Sequence, residues 1–257
     1  MSMFDTLKVD VDGAIGRVEL NQPDKLNPLS RLALSELAEA ARWFDKQSSV
    51  KVVVVSGVGR AFSAGADLAT FQGQPEDDLR AAADQGRLMA EALESMRAVS
   101  IAAIHGWCVG GGLVLAAACD LRVATETAKF SIPEVDLGIP LAWGGIPRLV
   151  REIGPARTKE LVMTCRPFGA SEALASGFLN RVVVEQDLEV SVDELSKQLA
   201  GKASHALFAT KRHVNAVTGQ MVGTMRSWSD ADGLLVALTD DECTEARERY
   251  LEHKGAR

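Results

Sequence analysis

Three short segments hold the residues whose types and spacing invite chemistry: AFSAGADL (61–68), HGWCVGGGL (105–113) and FSIPEVDLG (130–138). The first two are glycine-bearing turns at the ends of apolar runs. The third carries an acid, Glu134, among Ile132, Pro133, Val135 and Leu137. Gly65 permits backbone geometry that other residues resist, so the Ala66 amide can point into a cleft. Asp67 is placed to cap a following helix. In the second turn Gly110, Gly111 and Gly112 let the backbone pass close to a ligand. A helix begins there, and its first N–H groups have no partner within it and carry the positive end of its dipole. One donor from each turn makes a two-amide oxyanion hole. A carboxylate in an apolar setting has its pKa raised toward values useful for proton transfer. The combination points to a proton moved beside a carbonyl. The plainer alternatives stay open: glycines that only permit tight strand–helix packing, and a glutamate that only caps the next turn.

Other chemistries are not spelled out. GGGL lacks the Gly-Lys-Ser/Thr of a phosphate loop. SGVGRAF lacks the third glycine of a dinucleotide site. Ser63 lacks the first glycine of a nucleophile elbow. Cys108, Cys119, Cys165 and Cys243 form no C-x-x-C pair, and His105, His205, His213 and His253 form no helical pair, so no metal site is expected. Free thiols fit a reducing cytoplasm. The net charge of −7 and the absence of a basic run argue against nucleic acid. MSMFDTLKVDVDG does not resemble a signal peptide. No apolar stretch reaches the ~18 residues of a membrane span. A soluble cytoplasmic protein is expected, with 47% hydrophobic and 25% charged residues.

The elements that must position the three segments follow from periodicity. Strands are expected over 4–11 and 14–20 around Asp12-Gly13. Asn27-Pro28 is expected to open a helix with Leu29, Ala33, Leu37, Ala40, Ala41 and Phe44 on one face. VKVVVV (50–55) reads as a strand buried on both faces. Residues 77–97 read as a helix with Leu79, Ala82, Gly86, Met89, Leu93 and Met96 on one face. Then come a strand at 100–104, a helix at 111–118 and strands at 120–125 and 129–132. A helix in WGGIPRLVREIG has Pro147 in its first turn. Short helices at 156–164 and 171–176 and a strand at 177–183 follow, and the rest from Asp187 is helical. Repeated strand–turn–helix units imply an α/β core over 1–185 and a helical region over 186–257.

With both turns and PEVDLG in view, the chain resembles the crotonase superfamily, the enoyl-CoA hydratases and isomerases. KLNPLS (25–30) resembles that family's early CoA-lining segment, and the 40-odd residues from WGGIPRLV onward follow the family's pattern. The resemblance implies a spiral of ββα units with a helical C-terminal trimerisation region. It implies a homotrimer or a hexamer built as a dimer of trimers, and an acyl-CoA thioester as substrate with no separate cofactor. The thioester carbonyl would lie between the amides of Ala66 and Gly111, facing Glu134. Lys25, Leu26, Ala66, Asp67, Leu68, Ala69 and Gly111 would bind the CoA thioester. Lys211, His253 or Lys254 would either help to close the site or stand as solvated surface groups.

The resemblance also bears on the reaction. Hydratases of the family carry a second glutamate two residues after the GGG, and this chain has Val114 there. Dienoyl isomerases carry an acid eight residues after the equivalent of Glu134, and this chain has Ala142. A single acid implies a 3-enoyl-CoA to 2-enoyl-CoA double-bond isomerase. The alternatives are an enoyl-CoA hydratase of fatty-acid oxidation and a non-catalytic acyl-CoA-binding protein. Trp143 is either a wall of the acyl pocket or core. Asp136 is a turn former or a second acid.

Overall fold

The computed structural model describes residues 4–67 and 76–255, without the side chains of 76–79, 225, 226, 228, 254 and 255. Strands β1 (Leu7–Asp12) and β2 (Ile15–Leu20) form an antiparallel hairpin, turned by Gly13 at φ +58°. From β2 the sheet continues in parallel through β3 (Val52–Gly57), β4 (Val99–Ile104), β6 (Leu121–Thr125) and β9 (Arg181–Val183). The valine run explains why this sheet is covered twice. Val53 and Val55 join the main core with Ala102 and Ile104. Val52 and Val54 face the other way, against Ile101, Ala103 and Val123. Val192 and Leu195 of α6 (Leu188–Ala200) close that second face.

A smaller sheet joins β5 (Trp107–Val109), β7 (Lys129–Ser131) and the two-residue β8 (Phe168–Gly169). Sequence periodicity misses β5 and β8, because three- and two-residue strands carry no alternation to read. The helix expected to open at Asn27-Pro28 instead begins at Arg31 as α1 (Arg31–Lys46). Ser30 is its cap, accepting from the Ala33 N–H at 3.2 Å. Asn27 is left-handed, at φ +54°, and its buried side chain is a bracket. Its Oδ1 accepts from the Gln22 N–H at 2.9 Å, and its Nδ2 donates to the carbonyls of Val58 and Ala61, each at 2.9 Å. That bracket fixes the approach to the first glycine turn.

Helix α2 (Glu76–Ser95) lies beside α1 and α3 (Gly111–Ala118). The two helices expected around residue 154 form one element, α4 (Gly145–Thr164), broken by Gly154 at φ +75°. After α5 (Ala170–Ala175) and α6 come α7 (Ser204–Met221), α8 (Asp230–Thr239) and α9 (Asp241–Gly255). Helix α8 folds back over its own chain: Ala231 and Leu234 pack with Ala83 of α2 and with Ile139. Lys211 does not reach a ligand cleft as a free cation. It is buried, pairs with Asp120 at 2.8 Å and donates to the Ala98 carbonyl. His253 is exposed, with Nδ1 at 2.9 Å from the Arg249 carbonyl, and the Lys254 side chain lies outside the description. Among the described residues no helix is long and apolar enough to cross a membrane.

The N-terminal strand is held by a buried acid. Glu36 accepts from the backbone N–H groups of Asp5, at 2.8 Å, and Thr6, at 2.9 Å, and from the Thr6 hydroxyl. Removing it leaves donors buried without partners, each costing about 1–3 kcal/mol. Glu36→Ala is expected to lower stability by about 2–3 kcal/mol in urea unfolding; a loss under about 0.5 kcal/mol would show that this acid does not hold the strand.

Candidate active site

The two glycine turns are stitched together by backbone hydrogen bonds. Phe62 N–H donates to the His105 carbonyl and Ser63 N–H to that of Trp107, while Val109 N–H donates to the Ser63 carbonyl. The next residues bridge to Leu29: Leu29 N–H donates to Gly65 O, and Asp67 N–H to Leu29 O. A parallel bridge uses the residues on either side of Ala66, so the Ala66 N–H and C=O face away from Leu29. Gly65 is required here. Its φ is +92°, and a Cβ would stand 2.6 Å from Val109 O and 3.5 Å from Gly111 N. Only a glycine lets the turns close to this distance. Gly111 is the first residue of α3, so its N–H has no helical partner. Ser63 is fully buried; its hydroxyl donates to Asn27 O and accepts from Gly65 N–H. It ties the turn down and is not placed as a nucleophile.

A small cavity of about 30 Å³ opens where the turns meet. Ala66, Gly111, Val114, Glu134, residues 139–143 and Leu234 line it. The sequence therefore brings Ala66, Gly111 and Glu134 to one place. Val114, fully buried, lines the same space. Glu134 is the one ionisable side chain among the described residues of that lining. Its Oε2 is buried without a hydrogen-bond partner, and a Cβ on Gly110 would collide with Oε1. Burial pushes the Glu134 carboxyl up to about 7, against a hydrogen bond from its own backbone N–H, because charge removed from solvent is disfavoured. The site thus holds a carboxyl poised near neutrality beside two turns with outward amides.

Asp136 does not join it. Residues 133–139 already coil: Leu137 N–H donates to Pro133 O, Gly138 N–H to Val135 O and Ile139 N–H to Glu134 O. That coil turns Asp136 outward, and it is exposed in a separate cleft with Cys165 and Tyr250. Leu26, left-handed at φ +62°, lines the same cleft with Ala64 and Pro133. Lys25 is exposed at the end of the turn before it. Asp67 sits directly after Ala66 at a partly exposed position. Leu68 and Ala69 lie outside the described residues.

Trp143 is both wall and core. It is 5% exposed and lines the cavity. A Cβ on either Gly86 of α2 or Gly111 of α3 would overlap its indole, so two glycines form its seat. Trp143 and Gly144 are both left-handed, at φ +61° and +68°. Partners from three helices hold them. Arg148 Nη1 donates to the carbonyls of Trp143 and Gly144, each at 3.2 Å. Arg148 in turn pairs with Glu94 at 2.5 Å. Burial alone would raise the Glu94 carboxyl, but Arg148 and Arg151 beside it hold it below the ordinary carboxylate range. Gly144 N–H donates to Asp230 at 2.8 Å, from the start of α8. Glu94, Arg148, Asp230 and Leu234 escape sequence reasoning, as does the role of Gly86, which periodicity places only on a helix face. Each acts across a long sequence separation, and charged helical residues read as solvated surface unless their partners are known.

These features can be set beside known proteins. The sequence profile of the family described as "Enoyl-CoA hydratase/isomerase" matches residues 10–257. A crotonyl-CoA hydratase of Syntrophomonas wolfei is 31% identical over 98% of this chain and 97% of its own. A peroxisomal Delta(3,5)-Delta(2,4)-dienoyl-CoA isomerase of Arabidopsis thaliana is 31% identical, over 96% of this chain and 94% of that one. The crystal structure of an enoyl-CoA hydratase from Bacillus anthracis superposes with a TM-score of 0.80 at 30% identity, covering 97% of each chain. The crotonase-type fold and the matched profile lead to one assignment: this chain belongs to the enoyl-CoA hydratase/isomerase family.

Proposed function

We propose that this enzyme moves the double bond of a 3-enoyl-CoA to the 2-position. The observation that carries the reading is the lone carboxyl of Glu134 facing Val114 in an otherwise apolar cavity. With the thioester oxygen against the Ala66 and Gly111 amides, the Glu134 carboxylate removes a proton from C2. The C2–H electrons form the dienolate, and its charge gathers on oxygen, where two preset donors stabilise it by several kcal/mol. The protonated Glu134 then gives the proton to C4. The C4–H bond forms, the double bond settles between C2 and C3, and the carboxylate is restored. No water enters the balance, which suits a wall of Val114, Leu141, Trp143 and Leu234. Ala142, also in the lining, supplies no further acid for a dienoyl reaction.

The hydratase name of the Syntrophomonas relative favours a second reading, in which Glu134 alone supports addition of water to a 2-enoyl-CoA. Val114 weighs against it, since a branched apolar side chain neither holds nor deprotonates water. The trimer or paired trimers, formed through region 186–257, and the cytoplasmic setting belong to the same proposal. Exposed Val214, Val217 and Met221 on α7 offer apolar surface for such an assembly.

Four outcomes test the reading. Glu134→Gln is expected to reduce isomerisation by about 10²–10⁴-fold with acyl-CoA affinity retained; near-full activity would remove Glu134 from the reaction. Because only the carboxylate accepts the proton, kcat/KM should fall as pH drops below about 7. The linkage runs the same way. The folded pKa lies above the ordinary carboxyl value of 4.5, so the group's stabilising contribution is present below that value and is lost as pH rises through about 7. The wild type should therefore lose stability relative to Glu134→Gln across that window, and parallel stability curves would contradict the burial of this carboxyl. Val114→Glu is expected to raise crotonyl-CoA hydration about tenfold or more; no gain in a folded variant would show that position 114 does not select the reaction.

A further inference from the structure

We propose that Trp143 sets acyl-chain length and restricts this site to short chains. The inference rests on the acyl-CoA reading above and names its substrate class. The cavity is only about 30 Å³, far below the ~300–1,000 Å³ typical of ligand sites, so the walls around the ring leave little room for a chain beside the thioester. The indole ring system overlaps the position that a Cβ would take on Gly111. It therefore lies directly beside the amide assigned to the thioester oxygen. It also fills the notch at Gly86 of α2. Leu141 and, from α8, Leu234 form further walls of the cavity.

The backbone that carries the ring is braced from two sides. Trp143 and Gly144 are held by Arg148 from α4 and by Asp230 from α8. Arg148 is itself anchored to Glu94 of α2. The two glycines leave room for a large side chain, and the chain places its largest one there. A smaller residue at position 143 would leave an apolar slot running from the thioester toward α2. Each methylene placed in such a slot contributes about 0.8 kcal/mol, close to fourfold in affinity.

The test is calorimetric binding of butyryl-, hexanoyl-, octanoyl- and dodecanoyl-CoA to the wild type, Trp143→Phe and Trp143→Ala. These saturated thioesters are not turned over, so the readout does not depend on the reaction type. The wild type is expected to bind the two shorter thioesters at least about tenfold more tightly than dodecanoyl-CoA. Trp143→Ala should reverse that order, and Trp143→Phe should move the optimum to octanoyl-CoA. If Trp143→Ala does not fold, Trp143→Phe decides the matter. Equal affinity of the wild type for short and long chains, or one uniform loss for all four thioesters in the variants, would overturn the proposal. Failure to isomerise any 3-enoyl-CoA while the length rule holds would instead remove the proposed reaction and leave the role of Trp143 standing.

Discussion

A carboxyl with one oxygen buried and unpaired is the constraint around which the rest of this fold is arranged. Glu134 Oε2 meets neither a donor nor solvent, and an ionised group so placed costs several kcal/mol. Other acids among the described residues avoid that state. Glu36 takes two backbone amides and a hydroxyl, Glu94 takes two arginines, and Asp120 takes Lys211. Glu134 is left alone at the meeting of two glycine turns, with a pKa displaced to about 7 by burial. A group so displaced, in a cavity and beside outward amides, is where proton transfer is expected. The tight closure of the turns, at Gly65 against Val109 and Gly110 against Glu134, exists only because no Cβ intervenes.

The second level of organisation holds the cavity wall. Trp143 and Gly144 sit in left-handed backbone just before α4, a conformation that needs external support for a bulky residue. That support comes from Arg148, from its pairing with Glu94, and from Asp230. Replacing any one partner would leave a buried charge or amide unmatched. The C-terminal helices are thus more than an appendage: α8 supplies Leu234 to the lining and Asp230 to its frame. Arg122 plays a comparable part behind the site. Buried, it donates to the Phe178 and Cys119 carbonyls, pairs with Glu152 and so binds β6 to α4.

Much of this was legible in the sequence, for a physical reason in each case. The valine run announced a doubly covered strand, and the GGG before an apolar stretch announced α3 at its observed limits. Glu134, Ala66, Gly111 and Val114 could be named because close local spelling fixes their geometry. What local spelling does not fix was misread or missed. Asn27 looked like the opening of a helix, yet its side chain serves a loop some thirty residues on. Lys211 looked like a surface cation, yet a fold-dependent carboxylate holds it inside. Trp143 stood undecided between wall and core because its seat, Gly86 and Gly111, comes from two separate helices.

The central claim is that one shielded carboxyl both removes and returns the proton. Turnover of a 3-enoyl-CoA carrying deuterium at both C2 positions, read by NMR after partial conversion in ordinary water, tests it most directly. The account predicts deuterium at C4 of the 2-enoyl product, delivered by Glu134 before exchange with solvent. A product with solvent hydrogen alone at C4, or a 3-hydroxyacyl product in place of the shifted double bond, would contradict it.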